Sequence, residues 1–406
     1  MLSEVLSEVL SEVLSEARAA STGYNAGVEL IALSLTNFRS YRSLELSLAR
    51  GLMVISGENA QGKSNLLEAI YLLAIGKSHR ASTERELVTW EAAAAGGYAI
   101  IAGTVERADR KIELRVGLDC AGAQPNGVVK QVRINGVPKR ASDLVGLLSA
   151  VLFSPTDIDL AYGPPQGRRR YLDVLLSQTS RRYVHDLQRY LRVLAQRNAT
   201  LRSIRDGRAG DDELAPWDSS LCEEGAAVLA ARHEAMLRLA PLATEAFERL
   251  AGAGQALSVE YVATAPWAGG PGSEAMAAAL ERSRHQERAL GMTVVGPHRD
   301  DLRLALDGVE MAKHASRGQA RLAALSLRLA EAQLLDERRG DPPVILLDDI
   351  LSELDQRRRG LVLDEAMRYP QVFVSTAEPD LLPPGRAAGA RMLRVADGQV
   401  LEEVTA

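Results

Sequence analysis

Residues 57 to 64 read GENAQGKS, and this octet has the makings of a phosphate holder. Gly57, Gly62, Lys63 and Ser64 fit G-x-x-x-x-G-K-[ST]. In that pattern the glycines permit a tight turn, backbone N–H groups wrap phosphate oxygens, the lysine neutralises their charge and the hydroxyl ligates magnesium. Glu58, Asn59, Ala60 and Gln61 inside the loop and Asn65 after it complete the contact stretch. Such a loop needs a carboxylate at the end of a neighbouring buried strand, and VILLDDILSELD supplies Asp348 and Asp349 after an apolar run. Asp348 would hold magnesium together with Ser64. Asp349 is placed to orient or deprotonate an attacking water, so Lys63 and Asp349 are the candidate catalytic groups of a phosphoryl transfer to water.

A second anion site follows far along the chain. ASRGQARLAAL, residues 315 to 325, is a polar turn opening a helix whose Leu322, Leu325 and Leu329 share a face. The amides of Ser316, Arg317, Gly318 and Gln319 then sit where a helix N-terminus favours negative charge. A serine N-cap of an ordinary helix accounts for Ser316 but leaves Gly318 without a purpose. One nucleotide needs only one such cradle.

The elements that must position these residues are readable from period and punctuation. LIALSLTNF, LELSL and LMVISG read as short strands, separated by RSYRS and Gly51. After Ser64 the period turns helical, with Leu66, Ile70 and Ala74 on one face and Gly76 as the stop. Segments near 99–105, 111–117 and 130–134 alternate like strands, and Asn135-Gly136 suits a hairpin turn. From Gly163 to about Leu290 helical signals dominate, interrupted by LSVEYVATA and broken at DGRAGDD and GGPG. GMTVVGPHRDDLRLAL returns to strand and turn, and PPVILLDDI and QVFVSTAE read as buried strands. The chain therefore reads as an α/β ATPase split by an insertion: residues 28–162 and 291–406 as the two halves and 163–290 as a helical lobe. The exact LSEV repeat at the start sets residues 1–27 apart as an extension, disordered or a helical tail.

Composition narrows the class. The chain has 406 residues, 46% hydrophobic and 25% charged, with formal net charge -5, so a polyanion must be met by a local patch. Cys120 and Cys222 are the only cysteines, and they form neither a disulfide framework nor a CxxC site. No apolar run of about 18 residues spans a bilayer and no export leader is present, which points to the cytoplasm. His298 with Asp300 and Asp301 in GPHRDD reads as a structural turn rather than a metal site.

GENAQGKSNLLEA, the ASRGQ turn and LLDDILSELD, in that order, resemble the heads of ABC-type ATPases. In that class the signature turn touches the γ-phosphate held by another subunit. The resemblance thus implies two chains sandwiching two ATP molecules, with Glu353 to Asp355 matching the loop that crosses the dimer interface. LTNFRSY, FSPTDIDLAYGPPQGRRRYLD, QRNATLR, GPHRDDL and SELDQRRRGLVL are similar to the RecF family of bacterial recombination mediators, SMC-like heads without a long coiled coil. That resemblance implies a β-rich first lobe and an inserted, mainly helical second lobe, with Arg39 and Asp355 among the nucleotide contacts. It also implies RecO and RecR as partners and roles in recombinational repair, replication restart and the SOS response. The N-terminal extension departs from the family. A transporter ATPase and a nucleotide-gated scaffold that never hydrolyses ATP are the alternatives. Asp349 stands where transporters carry glutamate, and FVSTAEPD offers only Ser375 or Thr376 in place of their switch histidine, so slow hydrolysis is expected.

Between Arg168 and Arg208 eleven arginines (168, 169, 170, 181, 182, 189, 192, 197, 202, 205 and 208) face Asp173, Asp186 and Asp206. Arginine's fork suits phosphate, so Arg168, Arg169, Arg170, Arg181, Arg182, Arg192, Arg197 and Arg202 are candidate contacts to the backbone of duplex or junction DNA. Ion pairing within the lobe is the competing use, and Arg168 to Arg170 and Arg197 also fall in the family motifs. Tyr171, Tyr183 and Tyr190 have the spacing of packed side chains, which argues against a single-strand stacking platform.

Overall fold

Alternation builds the central layer. In the computed structural model, β3 (Gly51–Ser56) buries Leu52 and Val54 on one side and Met53 and Ile55 on the other. The model describes residues 27–107, 110–121, 127–252, 254–265, 272–382, 385 and 389–403; the N-terminal extension, apart from Gly27, lies outside the described residues. β8 (Ala150–Phe153), β12 (Val344–Asp348) and β13 (Gln371–Thr376) are buried on both faces in the same way, as a sheet covered on both sides requires. These strands run parallel in the order β3-β13-β12-β8. β14 (Arg391–Ala396) joins β3 in parallel, and β15 (Gln399–Glu403) adds an antiparallel edge. Strands from the two ends of the chain are therefore direct neighbours.

Helix α1 (Lys63–Ile75) and an antiparallel sheet cover one face. That sheet contains β1 (Glu29–Phe38), β2 (Tyr41–Ser47), β4 (Tyr98–Arg107), β5 (Arg110–Asp119), β6 (Val129–Ile134) and β7 (Val137–Lys139), in the order β2-β1-β4-β5-β6-β7. Asn135 and Gly136 turn the β6–β7 hairpin, both with positive φ. Gly76 caps α1 in the left-handed region at φ 75°.

The opposite face carries the long helices: α2 (Pro165–Thr179), α3 (Arg181–Arg205), α4 (Ala215–Ala251), α5 (Gly272–Leu290) and α6 (Arg317–Arg339). α4 packs against α3, α5 and α6, so its length serves a bundle rather than a projecting coiled coil. A three-stranded sheet closes this side, in which β9 (Leu257–Val262) pairs with β10 (Asp301–Leu306) and β10 with β11 (Val309–Glu310). The strand inside the predicted lobe thus finds its partners beyond residue 290. α7 (Gln356–Ala366) follows β12. Among the described residues the architecture is α/β with a mainly helical second lobe and no long coiled coil.

Candidate nucleotide site

The phosphate loop links β3 to α1 and is shaped by what packs beneath it. Gly57 has φ 148°, and a Cβ there would lie 2.3 Å from the Val395 carbonyl oxygen. Gly62, the N-cap of α1 at φ 117°, would place a Cβ 2.5 Å from Ser40 Oγ. Neither position admits a side chain. The Tyr41 hydroxyl donates to the Gly62 carbonyl at 3.0 Å, and the Asp397 amide donates to Gln61 Oε1 at 2.6 Å. Glu58, Asn59 and Ala60 are exposed at the loop's crest. Asn65 and Arg39 sit to one side: Asn65 donates to Ser40 Oγ and accepts from Arg80. Arg39 grips both oxygens of Glu68 at 2.9 Å and also donates to the Glu86 carbonyl, so it serves the loop's flank first. Burial pushes Glu68 up, but hydrogen bonds from Arg39, Arg80 and Ser78 outweigh it and hold its carboxyl at about 2.

Lys63 is buried and its Nζ donates to the Gly57 and Glu58 carbonyls, both at 2.7 Å. Burial lowers its pKa, opposed by Asp349 and Asp348. Ser64 Oγ donates to Asp348 Oδ1 at 2.6 Å, joining positions 284 residues apart in sequence. Ser375 Oγ donates to the same Oδ1 at 2.8 Å and accepts from the Asp349 amide at 3.0 Å. Hydroxyl and carboxylate oxygens without a soft ligand suit a hard divalent cation, so Ser64 and Asp348 fit magnesium. Asp349 is half-buried with φ 51°, a region that costs a non-glycine residue about 1 kcal/mol or more. Burial raises its pKa; Lys63 opposes the rise and Asp348 adds to it. A carboxylate held towards neutrality beside a lysine is equipped to accept a proton.

The turn at 316–319 lies on the other side of the sheet. Its helix α6 packs into the cluster containing Leu52 and Val54, whereas α1 packs into the one containing Met53 and Ile55. Ser316 caps α6, its Oγ accepting from the Gln319 amide at 3.2 Å while Gln319 Oε1 accepts from the Ser316 amide at 2.9 Å. Ser316, Arg317 and Gly318 are exposed. A Cβ on Gly318 would meet nothing nearer than Ser316 Oγ at 4.0 Å, so the chain's own packing does not demand glycine. Asp355 is the exposed N-cap of α7. The structure thus brings together Lys63, Ser64, Asp348 and Asp349, and leaves Ser316 to Gln319 and Asp355 facing outward.

Two predicted DNA contacts require correction. Arg197 is fully buried, donating to Asp218 and Glu287 at 2.7 Å and to Thr293 Oγ1 at 2.8 Å. Arg168 is buried and paired with both oxygens of Asp301 and the Gly163 carbonyl. Both are fasteners of the helical side, because a guanidinium with its donors committed inside the fold has none to offer a phosphate. Arg169 is half-buried and donates to the Asp300 carbonyl, and Arg170 donates to the Ser78 carbonyl from the surface. Arg182 pairs loosely with Asp186 at 3.6 Å. Arg181, Arg192 and Arg202 are exposed without an ion pair among the described residues. Tyr171, Tyr183 and Tyr190 are buried. His298 faces Tyr190 while Asp300 and Asp301 turn to Thr264 and Arg168, so the three do not converge.

Some contacts have no sequence signal of their own. The Tyr162 hydroxyl donates to the Ala315 carbonyl at 2.5 Å, directly before the signature serine, and Arg321 pairs with Glu353. Ser375 was legible only as an alternative to Thr376, which instead bonds Glu378.

Comparison with known proteins gives one pattern. Residues 29–396 match the model of the RecF/RecN/SMC N terminal domain. A DNA replication and repair protein RecF of Chloroflexus aggregans is 42% identical over 91% of this chain and 98% of its own length. The counterpart of Herpetosiphon aurantiacus is 44% identical over 85% and 92%. Among solved structures, the recombination mediator protein RecF-ATPrS in the RecFOR pathway is similar, with TM-score 0.84 at 30% identity, over 94% of this chain and all of that one. A Smc head domain of Pyrococcus furiosus, with TM-score 0.52 at 18% identity over 93% and 96%, shares the fold. No helix among the described residues is long and apolar enough to cross a membrane.

Proposed function

Since the chain belongs to the RecF/RecN/SMC N terminal domain family, we propose that it is an ATP-binding DNA repair and replication protein whose nucleotide pocket is completed by a second copy of itself. On this reading it is an ATP-gated DNA clamp of recombinational repair, with RecO and RecR as partners and roles in replication restart and SOS induction. Residues 28–162 and 291–406 form the head and 163–290 the helical lobe. The observation that carries the reading is the outward-facing turn Ser316–Gln319, on a helix packed across the sheet from α1, with open space at Gly318. A helix N-terminus left free in this way can serve a phosphate held by another chain.

Within the pocket, Glu58 to Asn65 wrap the phosphates through backbone amides and Lys63 offsets their charge. Magnesium, held by Ser64 and Asp348, would neutralise charge developing on the phosphate oxygens. Asp349 orients the attacking water and accepts its proton, aided by the burial that raises its pKa. Its side chain is one methylene shorter than the transporter glutamate, and Ser375 is already committed to Asp348, so turnover is slow. Arg181, Arg182, Arg192 and Arg202 would meet duplex or junction DNA through its phosphates.

Sedimentation with and without ATP, each with and without a short duplex, tests this reading. A dimer that appears only with ATP and carries the duplex is the expected result. A chain that stays monomeric with ATP, or that ignores the duplex, contradicts it; the second outcome favours a transporter ATPase. A dimer that never releases phosphate in a parallel assay favours a scaffold.

A further inference from the structure

A groove of about 680 Å³ runs between the end of α1 and the flanks of α2 and α3. Its walls are aliphatic: Ile75 and Val145 come from the head side, and Val174, Val184, Leu187 and Leu191 from the helical side. Leu191 is 47% exposed at the rim, an aliphatic side chain on a surface helix with water over it. The charged groups at the floor and rim are mostly positive, with Lys77, Arg169, Arg170 and Arg232 against Asp173. Lys77 is exposed, and Arg169 uses one donor nitrogen on the Asp300 carbonyl. Burial lowers the Arg169 pKa, Asp301 opposes this, and the neighbouring Arg232 and Arg299 depress it further. The one carboxylate lining the groove, Asp173, is already taken by Tyr183 and Arg232.

Cationic side chains without an ion pair among the described residues, beside aliphatic walls, fit a ligand bearing both carboxylates and branched aliphatic side chains. A phosphodiester backbone answers the charge but leaves six aliphatic walls facing sugar and solvent. We propose that this groove docks an acidic, leucine-bearing segment of a partner protein, seated on Leu187 and Leu191 with its carboxylates towards Lys77 and Arg169. The recognition mode is an apolar ridge in a groove, with charge setting orientation. The site is distinct from the nucleotide pocket, and its proposal does not depend on ATP or on dimerisation.

The test is fluorescence anisotropy on the full chain with a labelled peptide of repeated Glu-Leu-Leu-Glu units, beside a second peptide with every Glu replaced by Gln. Saturable binding that weakens about ten-fold or more for the glutamine peptide, and again in Lys77→Glu/Leu191→Asp, is expected. Both substitutions lie at exposed positions, and nucleotide binding and melting temperature, which should not change, report that the variant is folded. Absence of saturable binding overturns the proposal, as does equal affinity for the two peptides or unchanged binding by the folded variant. If a duplex displaces the peptide and itself binds more weakly to the variant, the groove belongs to nucleic acid and the proposal fails.

Discussion

Replacing Arg197 with alanine should destabilise the helical lobe rather than weaken a DNA contact. The guanidinium is inaccessible to solvent and holds Glu287, equally inaccessible, at 2.7 Å, together with Asp218 and Thr293. Its removal leaves the buried Glu287 carboxylate with the Val294 amide as its one remaining partner among the described residues. Breaking one side of a buried ion pair costs about 3–5 kcal/mol. At roughly 2–4 °C per kcal/mol for a domain of this size class, the melting temperature should fall by on the order of 10 °C. Arg192→Ala is the contrasting change: exposed and without an ion pair among the described residues, it should leave the melting curve unmoved and lower the slope of log affinity against log salt by about 0.9. Thermal denaturation followed by circular dichroism, with duplex binding titrated at several salt concentrations, reads both. An Arg197→Ala protein that melts like the parent and loses one unit of salt slope would refute the assignment of this side chain to the core.

Other expectations follow from the same geometry. Lys63→Met should abolish nucleotide binding, whereas Asp349→Asn should retain it and prolong the ATP-bound dimer; equal loss of binding in both, by equilibrium dialysis, contradicts the division of roles. Gly318→Val should leave the monomer's stability within about 1 kcal/mol of the parent, the scale of helix propensity, since its Cβ has open space, yet stop ATP-dependent self-association in sedimentation. Acidification should destabilise the fold in two steps. His79 and His298 are pushed by burial from 6.5 to about 4, so the unfolded chain binds their protons first and stability falls between pH 6.5 and 4. Glu68 is held at about 2 against 4.5, so its contribution disappears only below pH 4.5. His298→Gln should flatten the first step in a pH series of melting curves, and a profile unchanged by it would count against the cause.

The nucleotide loop was legible because its chemistry is local: two glycines, a lysine and a serine in one octet fix both conformation and contacts. Asp348 was legible for a related reason, since four apolar residues before an acid mark the end of a buried strand. The arginine cluster was misleading at Arg168 and Arg197 because a charge run shows sign and not burial. Their partners, Asp301 at 133 residues and Glu287 at 90, are separated from them by whole elements. β8 passed unmarked, being four residues long and too short for a period, and it is a strand because the sheet offers β12 as its neighbour. Tyr162 against Ala315 is likewise a contact that only the packing of the short helix Asp159–Tyr162 before α2 creates.

Two outward-facing elements are joined within one chain, and this bears on how a second copy would be met. Arg321, one turn into α6, donates to the Glu353 carbonyl at 3.0 Å and pairs with the Glu353 carboxylate. The signature helix and the segment leading to Asp355 are thereby fastened together, with Tyr162 holding the residue before Ser316. On the inner side, Ser375 bridges Asp348 and the Asp349 amide, so the strand end that would feel a phosphate runs directly into that same segment. Ser352 Oγ donates to the Asp349 carbonyl, so hydrogen bonds join Asp349 to the turn Leu351–Glu353 and that turn to Arg321. The signature turn and Asp355 are thereby tied to one another within the chain, and on the proposed dimer a second copy would meet them together.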